Sequence, residues 1–132
     1  MRTRSTNHSD FKWLYRLLKE RDSTVNISHR RMPSYVDHVR FCKSYPYDFW
    51  LVAFDGRKKV GHCYVTRLGE IGVFVEKKYH GRGYGSFLIE KAISLNETGR
   101  NIANINPKNK ASISLFKKRG FKLIQNTYEL MV

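Results

Sequence analysis

Several things are scarce in this sequence, and each scarcity closes off a class of protein. There are two cysteines in 132 residues, Cys42 and Cys63, far apart and in no motif. That excludes a disulfide-stapled scaffold and a thiolate zinc site, and both are read as reduced, buried thiols. The five histidines are scattered without ligand spacing, so no metal is expected. No apolar run approaches the roughly 20 residues that span a bilayer. The opening stretch MRTRSTNHSD is basic but leads into no apolar signal region, so a cytoplasmic chain without membrane contact is expected. Three prolines, no low-complexity linker and no internal repeat leave one domain over residues 1–132. Acidic residues are few: 11 Asp and Glu against 25 Lys and Arg, a formal charge of +14.

What is present is a sizeable apolar content, 41% of the residues with 14% aromatic, enough for a packed core. The basic residues run along the whole chain, so the charge belongs to the folded domain and attracts phosphorylated or nucleic-acid partners. Ser9 and Asp10 precede Phe11, Leu14, Tyr15, Leu17 and Leu18 at helical spacing, which predicts a first helix capped by Ser9. Pro33 and Ser34 open a second helix carrying Tyr35, Val36, Val39 and Phe41. Residues 49–54 and 60–66 read as strands joined by a DGRK hairpin signal, and 70–75 as a third strand after a turn at Leu68 and Gly69. A helix over 86–95, a buried strand over 102–105, a helix over 109–119 stopped by Gly120, and two closing strands over 121–124 and 127–131 complete the expectation. The order is a βαβ unit inside a mainly antiparallel sheet, a mixed α/β domain.

Between the 70–75 strand and the 86–95 helix stands VEKKYHGRGYGSFLIEKA, with Gly81, Gly83 and Gly85 at alternate positions. A glycine-rich turn into a helix N-terminus exposes unpaired N–H groups and a partial positive charge, and it binds phosphate. Glycine lets the backbone approach closely or take positive φ. Arg82, Lys77, Lys78 and His80 add positive charge. The spacing is neither a dinucleotide fingerprint nor a P-loop, since the third glycine is one residue early and no Gly-Lys-Ser/Thr follows. Ser9, Ser86 and Ser112 lie in no nucleophile elbow.

The run His80-Gly81-Arg82-Gly83-Tyr84-Gly85 resembles the acetyl-CoA-binding motif of the GCN5-related N-acetyltransferases, [QR]-x-x-G-x-[GA], with His80 in place of the first Gln or Arg. Downstream, Asn109, Ser112, Leu115, Phe116, Gly120 and Phe121 are similar to that family's N-x-x-[SA]-x-x-L-[YF] helix and its following Gly-Phe. The resemblance covers about residues 60–124. It implies a single-domain mixed, mostly antiparallel sheet of six or seven strands with about four helices. That sheet would be splayed between 70–75 and 102–105 around acetyl-CoA as acyl donor. It implies a pyrophosphate seat on the N–H groups of Arg82 to Ser86, a pantetheine arm along Val73, Phe74 and Val75, and contacts from His80, Asn109, Ser112 and Phe116. The reaction implied is direct acetyl transfer to a primary amine, with the amine deprotonated by a base and the thiolate protonated or otherwise stabilised.

Glu70, the acid on the strand before the glycine turn, is the candidate base, and a hydrophobic setting would raise its pKa; a plain surface Glu is the alternative. Relatives place an acidic Tyr where this chain has Phe116, which leaves Tyr128, Tyr84 or Tyr64 as substitutes. His29, His38 and His62 are further proton carriers. The acceptor half of the chain resembles that of enzymes acting on nucleotide-linked amino sugars. There Arg30, Arg31, Arg40 and His38, with Tyr47 and Trp50, form an expected acceptor surface for an anionic or phosphate-bearing amine. A protein amine is the other acceptor class. A catalytically degenerate module that binds nucleic acid is the alternative function, and monomer and homodimer are both open.

Overall fold

The computed structural model describes residues 1–21 and 32–132. Its first strand is one the local pattern does not signal. Residues Arg2–Ser5 form β1, antiparallel to β2 (Phe49–Asp55). No apolar alternation marks β1; contacts distant in sequence hold it. The Arg2 and Arg4 guanidinium groups lie 4.2 and 5.1 Å from the Phe54 ring centroid. Arg4 also pairs with the buried Asp10 at 2.8 Å, and Thr6 donates to the Trp50 carbonyl through both its N–H and its hydroxyl.

Ser9 is not the cap of the first helix. Asn7 accepts from the Ser9 N–H and Asp10 accepts from the Asn7 N–H, a capping box around a single 3₁₀ turn that feeds α1 (Phe11–Glu20). Helix α2 (Tyr35–Lys43) starts where Ser34 accepts from the Asp37 N–H. The β2–β3 hairpin, with β3 at Lys58–Val65, closes through a two-residue loop led by Gly56 at φ +61°. Strand β4 (Ile71–Val75) pairs antiparallel with β3, giving the order β1-β2-β3-β4.

Helices α3 (Tyr84–Leu95) and α4 (Lys110–Arg119) follow. The α3 face of the sheet holds the core: Leu51, Ala53, Cys63, Val65 and Ile71 pack on Leu88 and Ala92. The opposite face carries Trp50, His62, Tyr64 and Phe74 toward α1 and α2, with Trp13 edge-on to His62 at 6.0 Å.

The described residues hold four strands, fewer than the six or seven expected. Residues 102–105 supply only an isolated parallel bridge, Ile102 to Glu70, which makes the sheet mixed at one point. Residues 121–124 and 127–131 are not strands. Apolar alternation alone does not make a strand; a paired edge does. Leu123, Ile124, Tyr128 and Leu130 are exposed there with no ladder partner among the described residues. Helix α3 begins at Tyr84, two residues earlier than the sequence suggests, because Gly83 itself is the N-cap.

Candidate active site

The sheet opens at β4. The Ile71 N–H donates to the Ile102 carbonyl at 2.7 Å and the Ile102 N–H to the Gly69 carbonyl at 2.9 Å. Past this point no bridge joins β4 to residues 103–106 among the described residues. Strand residues two apart point their N–H and C=O the same way, so Val73 and Val75 turn their backbone polar groups into the gap where Ile71 made its bond. They differ in one respect. The Val75 carbonyl is taken by His80 Nε2 at 2.8 Å, so that nitrogen carries the proton and donates it. Among the described residues Val73 keeps both its N–H and its C=O on the open edge, and His80 pins the glycine turn to the strand.

The three glycines of that turn have separate jobs. Gly81 and Gly83 take φ +78° and +84°, the left-handed region, and a Cβ on either would meet nothing within 4 Å. Conformation, not crowding, asks for glycine there, and the space in front of both is open. Gly83 caps α3 with no side-chain bond, and the first helical hydrogen bond is Phe87 N–H to the Gly83 carbonyl at 3.2 Å. The first-turn N–H groups of Tyr84, Gly85 and Ser86 precede any intrahelical acceptor and face outward. Gly85 serves packing: its Cβ would stand 2.9 Å from Leu115 Cδ2 of α4. Arg82 is exposed beside the turn.

On α4, Asn109 is the N-cap and accepts from the Ser112 N–H at 3.2 Å. The two expected cofactor contacts are therefore joined to each other, with the Asn109 amide N–H₂ and the Ser112 hydroxyl making no hydrogen bond among the described residues. Phe116 is buried, edge-on to Phe121 at 5.0 Å.

Glu70 stands at the apex of the opening. Its carboxylate accepts from Thr66 Oγ1 at 3.3 Å and from Asn104 Nδ2 at 2.7 Å. This setting is polar. Of the tyrosines, Tyr64 is nearest in the fold: its ring lies over Gly72, where a Cβ would collide with it. Burial, reinforced by the Glu70 charge, raises the Tyr64 pKa. Tyr84 donates to Asp55, which raises its pKa as well. Tyr128 is exposed in the terminal segment.

His38 is buried and donates from Nε2 to the Phe11 carbonyl at 3.0 Å, tying α2 to α1; burial lowers its pKa. His62 accepts from Trp50 Nε1 at its Nδ1, 3.2 Å away, and burial pushes its pKa down to about 3, so it is neutral at physiological pH. Burial pushes the Cys42 and Cys63 thiols up to about 11 and about 12, which keeps them unreactive. Tyr47 and Trp50 meet at 5.0 Å on the same sheet face as Tyr64. Arg40 is exposed and pairs with Asp37. His29, Arg30 and Arg31 lie outside the described residues. Sequence reasoning missed Arg21, Asn104 and Gly72. Asn104 is findable once residue 102 is set beside Glu70, since it then falls two residues along the same edge; Arg21, just past the end of an amphipathic helix, carries no such signal.

The geometry can be set against known proteins. A family model described as an acetyltransferase (GNAT) domain matches residues 46–123, which spans β2 through α4 and includes the opened edge and the glycine turn. This chain belongs to the GNAT acetyltransferases. Solved structures agree on the fold. A ribosomal-protein-alanine N-acetyltransferase from Brucella melitensis superposes with a TM-score of 0.75 at 22% identity, covering 92% of this chain and 85% of its own. A domain from Methanocaldococcus jannaschii gives 0.81 at 20% identity, over 97% and 92%. A GNAT superfamily phosphinothricin acetyltransferase from Sinorhizobium meliloti, in complex with acetyl-CoA, gives 0.69 at 23% identity, over 94% and 76%. No curated protein sequence matches the chain. Among the described residues of this GNAT domain, no helix is long and apolar enough to cross a membrane, and no cluster of three or more His, Cys, Asp or Glu is placed to hold a metal.

Proposed function

We propose that this GNAT domain is an acetyl-CoA-dependent N-acetyltransferase that acetylates a primary amine directly. The observation that carries the reading is the juxtaposition of an unpaired Val73 edge with the open, left-handed Gly81–Gly83 turn at the start of α3. The residues fit the donor. Free N–H groups at Tyr84 to Ser86 and the Arg82 charge suit a diphosphate, and the Val73 N–H and C=O suit an amide-bearing arm. When bound, acetyl-CoA supplies the activated acyl group. Glu70, held by Thr66 and Asn104, is the base that takes the proton of the attacking amine. No acid is assigned on α4, because Phe116 is turned into packing with Phe121. Tyr64 remains protonated at neutral pH and, of the three tyrosines considered, is the one beside Glu70. Its hydroxyl is the proton donor in this scheme, with solvent at the open edge as the alternative route.

Titration calorimetry with acetyl-CoA tests the reading. The protein should bind it saturably. Gly83→Val forces a β-branched residue to positive φ and sets its side chain in front of the turn, so affinity should fall about 100-fold or more. Absence of binding by the native chain would overturn the assignment.

A further inference from the structure

On the α1–α2 side of the sheet, next to the open edge, lies a cup of rings. Tyr47 stacks on Tyr64 at 3.9 Å, nearly parallel. Trp50 stands edge-on to Tyr47 at 5.0 Å. Phe74 completes the wall 6.2 Å from Tyr64. Gly72 makes the cup possible, because any side chain there would strike the Tyr64 ring. Into it α1 delivers Arg21, immediately past its last turn, with the guanidinium carbon 3.8 Å above the centre of Phe74.

Among the described residues this guanidinium has no acidic partner. Among the described residues it forms no ion pair and its side chain donates no hydrogen bond; its neighbours are the faces of Phe74, Tyr64 and Tyr47. Burial strips it of water enough to lower its pKa. A ring face attracts the charge but cannot accept the five N–H bonds of an arginine fork. A half-buried cation with no acceptor among the described residues calls for a bidentate anion. Among the described residues, Arg21 is the cation whose charge acts on both Tyr47 and Tyr64. A phosphate dianion would leave a charge uncompensated there, whereas a carboxylate matches the single guanidinium in both charge and planar geometry. Phe74, under Arg21, follows Val73 of the open edge directly in sequence, so the anion site lies within a few bonds of where the amine must enter.

Building on the acetyltransferase reading, we infer that the acceptor is a compact amine carrying a carboxylate, clasped by Arg21 over Phe74 within the Tyr47–Trp50–Tyr64 cup. An α-amino acid is the simplest molecule of this class. Arg21 is a specificity-determining substrate contact.

The test is CoA release from acetyl-CoA by the full chain, with a panel of L-amino acids and their carboxamides as acceptors. At least one acid should exceed its amide in kcat/KM by about 10-fold or more, since removing the charge leaves a half-buried donor fork unpaired. R21M should erase that preference while acetyl-CoA affinity measured by calorimetry stays unchanged. R21K should keep turnover with a raised KM. It serves as the second variant if R21M does not fold. If the native chain binds acetyl-CoA but no acid is turned over, or acids gain nothing over amides, the carboxylate site is wrong and the acetyltransferase reading stands. If acetyl-CoA itself fails to bind, the acetyltransferase reading falls, and this inference with it. An acid preference that survives in R21M refutes the role of Arg21.

Discussion

Single residues divide here by whether their polar atoms are already spoken for. His38, His62 and Asn109 look available in the sequence, yet each has its bond inside the fold, to the Phe11 carbonyl, to Trp50 and to the Ser112 N–H. Glu70 is different: two side chains orient it at a gap in the sheet without using up its four lone-pair sites. Glu70→Gln keeps the shape and the Asn104 neighbour while removing the proton acceptor. Turnover should drop by about 10²–10⁴-fold with acetyl-CoA affinity unchanged. Steady-state kinetics beside calorimetry read both, and full activity in the variant would assign the base elsewhere. The polarity around Glu70 is not legible in the chain alone: Asn104 lies 34 residues away and arrives through the Ile102 bridge.

At the scale of elements, legibility follows how local the cause is. Helices α1, α2 and α4, the Gly56 hairpin and the Gly120 stop are written in spacing and caps, and their limits fall within a few residues of the expected ones. The glycine turn is legible as a helix entrance because positive φ selects glycine wherever it occurs. Strand β1 is not legible, since its partners are 46 or more residues away and its own residues are polar. The closing strands fail in the opposite sense: their pattern is right for strands, and no neighbour pairs with them among the described residues. Helix α4 offers a local check. Asn109→Ala removes its cap and should cost about 1 kcal/mol of stability in chemical denaturation. It should also weaken acetyl-CoA binding if the Asn109 amide faces the donor; an unchanged midpoint would show that the cap contributes nothing.

For the molecule as a whole, acid should be the sensitive direction. Burial by itself would raise the Asp10 pKa, but hydrogen bonds from Arg4, Lys59 and the Asn7 N–H outweigh it and hold the group at about 2 against 3.8 unfolded. That contribution is present above pH 3.8 and is lost as pH falls toward 2. His62, held neutral with a pKa of about 3 against 6.5, takes a proton more readily when unfolded, so stability declines already below pH 6.5. Thermal melts should therefore show Tm falling from about pH 6.5 downward and steepening below about pH 4. Asp10→Asn should lower stability at pH 7 by about 2–3 kcal/mol, because Arg4 and Lys59 lose their buried counter-charge, and should remove the steep lower limb. A Tm flat from pH 7 to pH 4 would contradict the His62 part. The ring cluster beside the opened strand has a practical corollary. The chain has two indoles, Trp13 and Trp50, both against His62, and Trp50 also touches Tyr47 of the cup. Any molecule settling between those rings changes the surroundings of a native fluorophore, so the protein carries its own optical gauge, and candidate acceptors can be ranked by emission in a cuvette with no label attached.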